Sequence, residues 1–175
     1  MSELEIIIAP DPELKKKCEL VLDFNIQVEE LLDNMFVTMK RAPGIGLAGP
    51  QVGFNKRMIV VDTTQSEEEG RELKMVNPEI VWRSEENKKH EEGCLSLPGY
   101  FEYVNRPDKI IVEYLNESNK KIELEAKGLL SVVIQHEVDH LDGILFIDHI
   151  SSLKRGIISR KLKKYKKSIN NGKNN

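Results

Sequence analysis

Two histidines four residues apart, in His136-Glu137-Val138-Asp139-His140, constrain this 175-residue chain more than any other feature. Residues i and i+4 share one face of a helix, so a helix here lets both imidazoles grip one ion. Glu137 follows the first histidine and can reach a metal-bound water as a general base. The pentapeptide alone is only moderately specific, because a solvated helix can carry two histidines and an acid by chance. Its company sharpens it: Gly44-Ile45-Gly46-Leu47-Ala48-Gly49-Pro50-Gln51 and Glu92-Gly93-Cys94-Leu95-Ser96.

A hydrolytic centre uses three protein ligands and leaves one position open. His136 and His140 supply two, and His90, His149, Cys94 and several carboxylates are candidates for the third. Context favours Cys94, since Gly93 and Pro98-Gly99 permit a closely shaped backbone and a coordinating thiol is deprotonated outright. A lone cysteine is more often a small buried hydrophobe. That reading stays ahead for Cys18, expected on a helix. His90, in a polar run, and His149, after Asp148, read as surface or structural histidines.

The flanking pattern predicts a single domain over residues 1–168 of α+β class. Mixed strands surround a central helix that carries the histidines, with a leading helix and a C-terminal helix. Asp11 is placed as an N-cap with Pro12 behind it, and a second helical pattern runs from about Asn25 to before Pro43. Residues 42–53 are expected to be an extended or turning loop. Met58 to Val61 reads as a buried strand, 63–72 as an exposed acidic loop, and 75–81 as a strand near a sheet edge because Pro78 interrupts it. Residues 109–114 and 121–126 alternate as paired strands, and a helical pattern from about Gly128 carries the pentapeptide. A basic helix is expected over 151–168, with a disordered tail at 169–175.

The charge is uneven. Residues 151–175 hold nine Lys/Arg and no acid, which leaves 17 basic against 29 acidic groups, or −12, on the first 150. A basic tail on an acidic body suits an anionic partner such as RNA, although a solvated terminal helix would have the same composition. The longest uncharged stretch, residues 42–55, is 14 residues long and broken by two Pro and four Gly, so no membrane span is expected. The start, MSELEIIIAPDPELKKK, lacks the basic region and long apolar core of a signal peptide, and two cysteines make no disulfide framework. The expected location is the cytoplasm.

The segments GIGLAGPQ, EGCLS and QHEVDHLDG, in this order, resemble the three signature motifs of the peptide deformylases, in their type I bacterial form. The direct match covers residues 44–143, and the leading and terminal helices extend it to nearly the whole chain. The resemblance implies a metal-dependent hydrolase that removes the N-formyl group from formyl-methionine on nascent proteins and releases formate. One divalent ion per chain is implied, Fe²⁺ by preference with Zn²⁺, Ni²⁺ or Co²⁺ as substitutes, on Cys94, His136 and His140. Hydroxide on that ion would attack, with Glu137 as general base, and the Gln51 amide and Leu95 N–H would hold the oxyanion. Gly44, Ile45 and Gly46 would pair with the substrate backbone. The methionine side chain would meet Gly44, Gly46, Leu129, Val132, Val133 and the His136 ring. Glu92 and Arg106 match an ion pair that steadies the ligand loop.

Two departures stand out: Gly49-Pro50 where the family has Ala-Ala or Ala-Pro, and Phe101 where many members have an Arg that can contact the peptide beyond methionine. The expected partners are formyl-Met nascent peptides and, through the basic helix, the ribosome, but neither DNA nor membrane. Two other readings share these residues. One is a non-catalytic ribosome- or RNA-binding protein that keeps a metal; the other is a metallopeptidase, which would usually take its third ligand downstream.

Overall fold

The computed structural model describes residues 2–67 and 70–172. Its centre is a five-stranded antiparallel sheet in the order β1-β2-β3-β6-β7. The strands are β1 Gly46–Ala48, β2 Met58–Asp62, β3 Glu72–Arg83, β6 Lys109–Leu115 and β7 Lys121–Lys127. A separate two-stranded hairpin joins β4 Asn87–Cys94 to β5 Leu97–Pro107. Helices α1 Ile26–Arg41, α2 Gly128–Leu141 and α3 Ser152–Gly172 complete the α+β arrangement.

The apolar run of β2 is buried along its whole length because helices cover both faces at this end of the sheet. Met58 and Val60 join Leu32, Met35 and Met39 of α1, while Ile59 and Val61 join Val133, Ile134 and Val138 of α2. α1 starts where Asn25 accepts hydrogen bonds from the Gln27 and Val28 N–H groups at 3.1 and 3.3 Å. α2 is buried nearly all round, as a central helix must be. The acidic loop after β2 returns to its start, where Glu67 Oε1 accepts from the Leu129 N–H at 3.1 Å. An acid there also suits the positive end of the helix dipole.

Several sequence expectations need correction. The element after Asp11 is a single 3-10 turn, Pro12–Lys15, although Asp11 does cap it. Cys18 lies outside any helix, in an irregular segment where its N–H donates to the Leu141 carbonyl at 2.8 Å. It is buried, and burial pushes its thiol up to about 11, which keeps it protonated and inert. The 42–53 segment is not all loop: it contains β1 and a 3-10 turn, Gly49–Val52. β3 is the central strand, not an edge. Pro78 is tolerated there because the pairing register skips between Val76 and Glu79. Asn77, at φ 51°, turns its amide onto Val21, accepting from its N–H at 2.9 Å and donating to its carbonyl at 2.8 Å. The basic helix runs to Gly172, four residues past its expected end, so 169–172 are helical; residues 173–175 lie outside the described ones. α3 buries Ile158 and Leu162 in a cluster with Ala9, Leu97, Phe146 and Ile147.

Asn77→Ala removes both bonds to Val21, and alanine is strained at positive φ. The expected loss is about 2 kcal/mol in urea unfolding with an unchanged m-value.

Candidate metal centre and active site

The site forms where the β4–β5 hairpin closes against α2. Cys94 ends β4, and the tight turn at Leu95–Ser96 leads into β5. His136 and His140 project from one face of α2. The ligand atoms of Cys94, His136 and His140 lie within 4.8 Å of one another, and Cys94 Sγ is 3.3 Å from His140 Nε2. His90 and His149, the other histidine candidates, are not in this group.

The donor set fits a divalent ion. One thiolate and two imidazoles suit first-row metals, and three ligands leave a position open. His140 is buried, and burial together with the neighbouring His136 drives it well below the usual imidazole range, so it stays neutral with a free lone pair. His136 goes the other way: burial opposes its charge, but Cys94, Glu92 and Glu137 outweigh that.

Glu92 sets the orientation of His136. Its Oε1 lies 2.8 Å from His136 Nδ1, which turns Nε2 toward Cys94. The Arg106 guanidinium clamps the same carboxylate through Nε at 2.6 Å and Nη2 at 2.9 Å. Burial alone would raise the Glu92 carboxyl, but the hydrogen bonds from His136 and Arg106 hold it at about 2. Arg106 Nη1 also reaches Asp139 Oδ2 at 2.8 Å, which gives Asp139 a partner that sequence left undecided.

Glu137 is the contrasting carboxylate. Burial, helped by the charges of Glu92 and Asp139, lifts it to about 7 against the pull of His136 and Arg106. Its Oε2 is buried with no hydrogen-bond partner among the described residues. Gly46 faces it so closely that a Cβ there would stand 2.3 Å from Oε1. The Gln51 amide is fixed at both ends: Oε1 accepts from the Ala48 N–H at 2.8 Å, and Nε2 donates to Ser96 Oγ at 3.1 Å and Cys94 Sγ at 3.4 Å. The Oε1 bond prevents an amide flip, so the donor end faces the thiol.

A cavity of about 550 Å³ opens beside these groups. Gly44, Ile45 and Gly46 form one wall, and Leu129, Val132 and Val133 of α2 form another; Gln51, Leu95, Glu137 and the His136 ring also line it. Phe101 stands at the mouth, 63% exposed, with its ring close over Gly93. Ser96, which the motif gives no role, supports the Gln51 amide and had a signal in its place two residues after Cys94. His149 is a structural histidine, as expected of it, 2.7 Å from Asp139 Oδ2.

The polypeptide deformylase family model matches residues 3–156. This chain belongs to the peptide deformylase family. It is 50% identical to the peptide deformylase of Thermodesulfovibrio yellowstonii over 93% of this chain and 98% of that one. The peptide deformylase structure from Ehrlichia chaffeensis superposes with a TM-score of 0.90 at 37% identity, covering 95% of this chain and 98% of the other. A second structure of that protein, in complex with actinonin, also gives 0.90 at 40% identity, covering 94% and 98%. The chain is therefore a deformylase-family enzyme with the α+β fold of that family. The family is metal-dependent, and Cys94, His136 and His140 form the candidate metal group. No helix among the described residues is long and apolar enough to cross a membrane.

The Glu137 carboxyl bears on stability. Its folded pKa, about 7, lies above the unfolded value of 4.5. The stability of its neutral form is therefore full below pH 4.5 and is lost as pH rises through 7. Glu137→Gln in chelator-treated protein is expected to raise the unfolding free energy above pH 7 by roughly 2–3 kcal/mol, with no such gain at pH 4. Equal gains at both pH values would contradict the buried, uncompensated carboxylate.

Proposed function

We propose that this chain hydrolyses the N-formyl group of formyl-methionine on nascent peptides, with Cys94, His136 and His140 holding Fe²⁺. The observation that carries this reading is the pairing of a three-ligand group with a buried, unpartnered Glu137 on one wall of an apolar cavity. When bound, the ion supplies a water of lowered pKa, about 7 against 15.7 in bulk, and polarises the formyl oxygen. The choice of iron rests on family resemblance, and Zn²⁺, Ni²⁺ or Co²⁺ can substitute on the same ligands.

The peptide backbone enters as an added strand along β1. Among the described residues this strand is paired only with β2, and its Gly44–Gly46 approach lines the cavity. Lack of side chains at Gly44 and Gly46 allows backbone contact close to Glu137. The methionine side chain packs against Leu129, Val132 and Val133. Glu137 takes the proton from the attacking water and delivers it to the departing amine, so that water and formamide become formate and a free N-terminus. A pKa near 7 suits both transfers. Gln51 Nε2 and the Leu95 N–H stabilise the tetrahedral oxygen as preorganised neutral donors. Glu92 and Arg106 hold the His136 ring.

The exposed lysines of α3 supply the ribosome-facing surface, and a cytoplasmic location follows from that substrate. Removing the helix outright would strip Ile158 and Leu162 from their cluster, so charge reversal is the cleaner variant. Lys161, Lys163, Lys164 and Lys167, all exposed, changed together to Glu should weaken ribosome binding more than 10-fold at physiological salt, with formyl-peptide turnover unchanged. Undiminished affinity would remove the docking role.

Formate release from a formyl-Met tripeptide by anaerobically Fe²⁺-loaded protein tests the activity itself. Glu137→Ala should lower kcat by about 10²–10⁴-fold with metal content retained. Turnover that survives this change would exclude Glu137 as the base, and no turnover by the loaded wild type would leave a binding protein.

A further inference from the structure

We infer that His149, outside the three motifs, is a positioning residue for His136, acting through Asp139, Arg106 and Glu92; the inference rests on the metal-centre reading above. Four consecutive polar contacts connect the two histidines. His149 Nε2 meets Asp139 Oδ2 at 2.7 Å, and Arg106 Nη1 meets the same oxygen at 2.8 Å. Arg106 then grips Glu92 through Nε and Nη2, and Glu92 Oε1 meets His136 Nδ1. Side-chain exposure falls from 36% at His149 through 20% at Asp139 to 5% at Arg106 and 4% at Glu92. The chain therefore runs from the surface to a metal ligand.

A single Arg106 between two carboxylates leaves an excess of negative charge. A second donor on Asp139 offsets it and lets Arg106 keep both bonds to Glu92. Without that donor, Asp139 competes more strongly for Arg106, and Glu92 turns from the guanidinium toward His136. The ligand's basicity and ring angle change together.

A second contact points the same way. His149 ends the 3-10 turn Phe146–His149, and the Phe146 ring stacks on the His136 ring, with centroids 6.1 Å apart and planes at 24°. One four-residue turn thus supports His136 twice, on its face through Phe146 and at Nδ1 through the polar chain.

Cobalt-loaded full-length protein tests this without substrate. His149→Ala should shift the cobalt ligand-field and thiolate charge-transfer bands and speed metal loss to a chelator about 10-fold. His149→Gln, which retains an N–H donor, should stay within about twofold of wild type, a rescue that a merely structural effect would not produce. In an Asp139→Asn background the His149→Ala effect should disappear. A wild-type spectrum and release rate in His149→Ala, no rescue by Gln, or additive effects in the double variant would each overturn the role. These readouts need no turnover, so their failure is distinct from failure of the deformylase reading.

Discussion

The buried ion pair between Glu92 and Arg106 holds the site together. The two residues sit on paired strands of the β4–β5 hairpin, and both reach α2, Glu92 to His136 and Arg106 to Asp139. Through them the strand that carries Cys94 is tied to the helix that carries both histidines. A buried pair of this kind adds little net stability over an apolar replacement, but loss of one partner leaves a buried charge at a cost of about 3–5 kcal/mol. Its value lies in placement. Cys94 lies more than 40 residues from either histidine in sequence, and only a fixed hairpin brings its sulfur to them.

The same pair divides the work between two carboxylates 45 positions apart. Glu92, met by a guanidinium and an imidazole, stays ionised and holds the His136 ring still. Glu137, next in sequence to His136, has no such partner on Oε2 among the described residues and is lifted toward neutral pH, where a proton can be taken up and released. Burial acts on both, and the partners decide the outcome. Gly46 completes the contrast by leaving room for Glu137 where any side chain would collide with it.

Much of this was legible in the sequence because it depends on local spacing. The i, i+4 histidines, the Asp11 cap and the uninterrupted apolar run of β2 each carry their structure in a few neighbouring residues. The hairpin did not. β4 reads Asn-Lys-Lys-His-Glu-Glu-Gly-Cys, polar over its first six residues, so no apolar alternation marks it as a strand. Pro78 suggested an edge because proline cannot donate to a ladder, yet a bulge and the Asn77 amide make it acceptable in the middle of the sheet. The contact of His149 with Asp139 was not legible, because its polar link to His136 passes through three other side chains that lie far apart in sequence.

X-ray absorption at the metal edge of the loaded protein tests the central claim most directly. The account predicts one sulfur near 2.3 Å and two imidazole nitrogens near 2.0–2.1 Å, with an oxygen ligand in the remaining position, if zinc is the ion loaded. A first shell without sulfur, or one closed by four protein ligands, would contradict it.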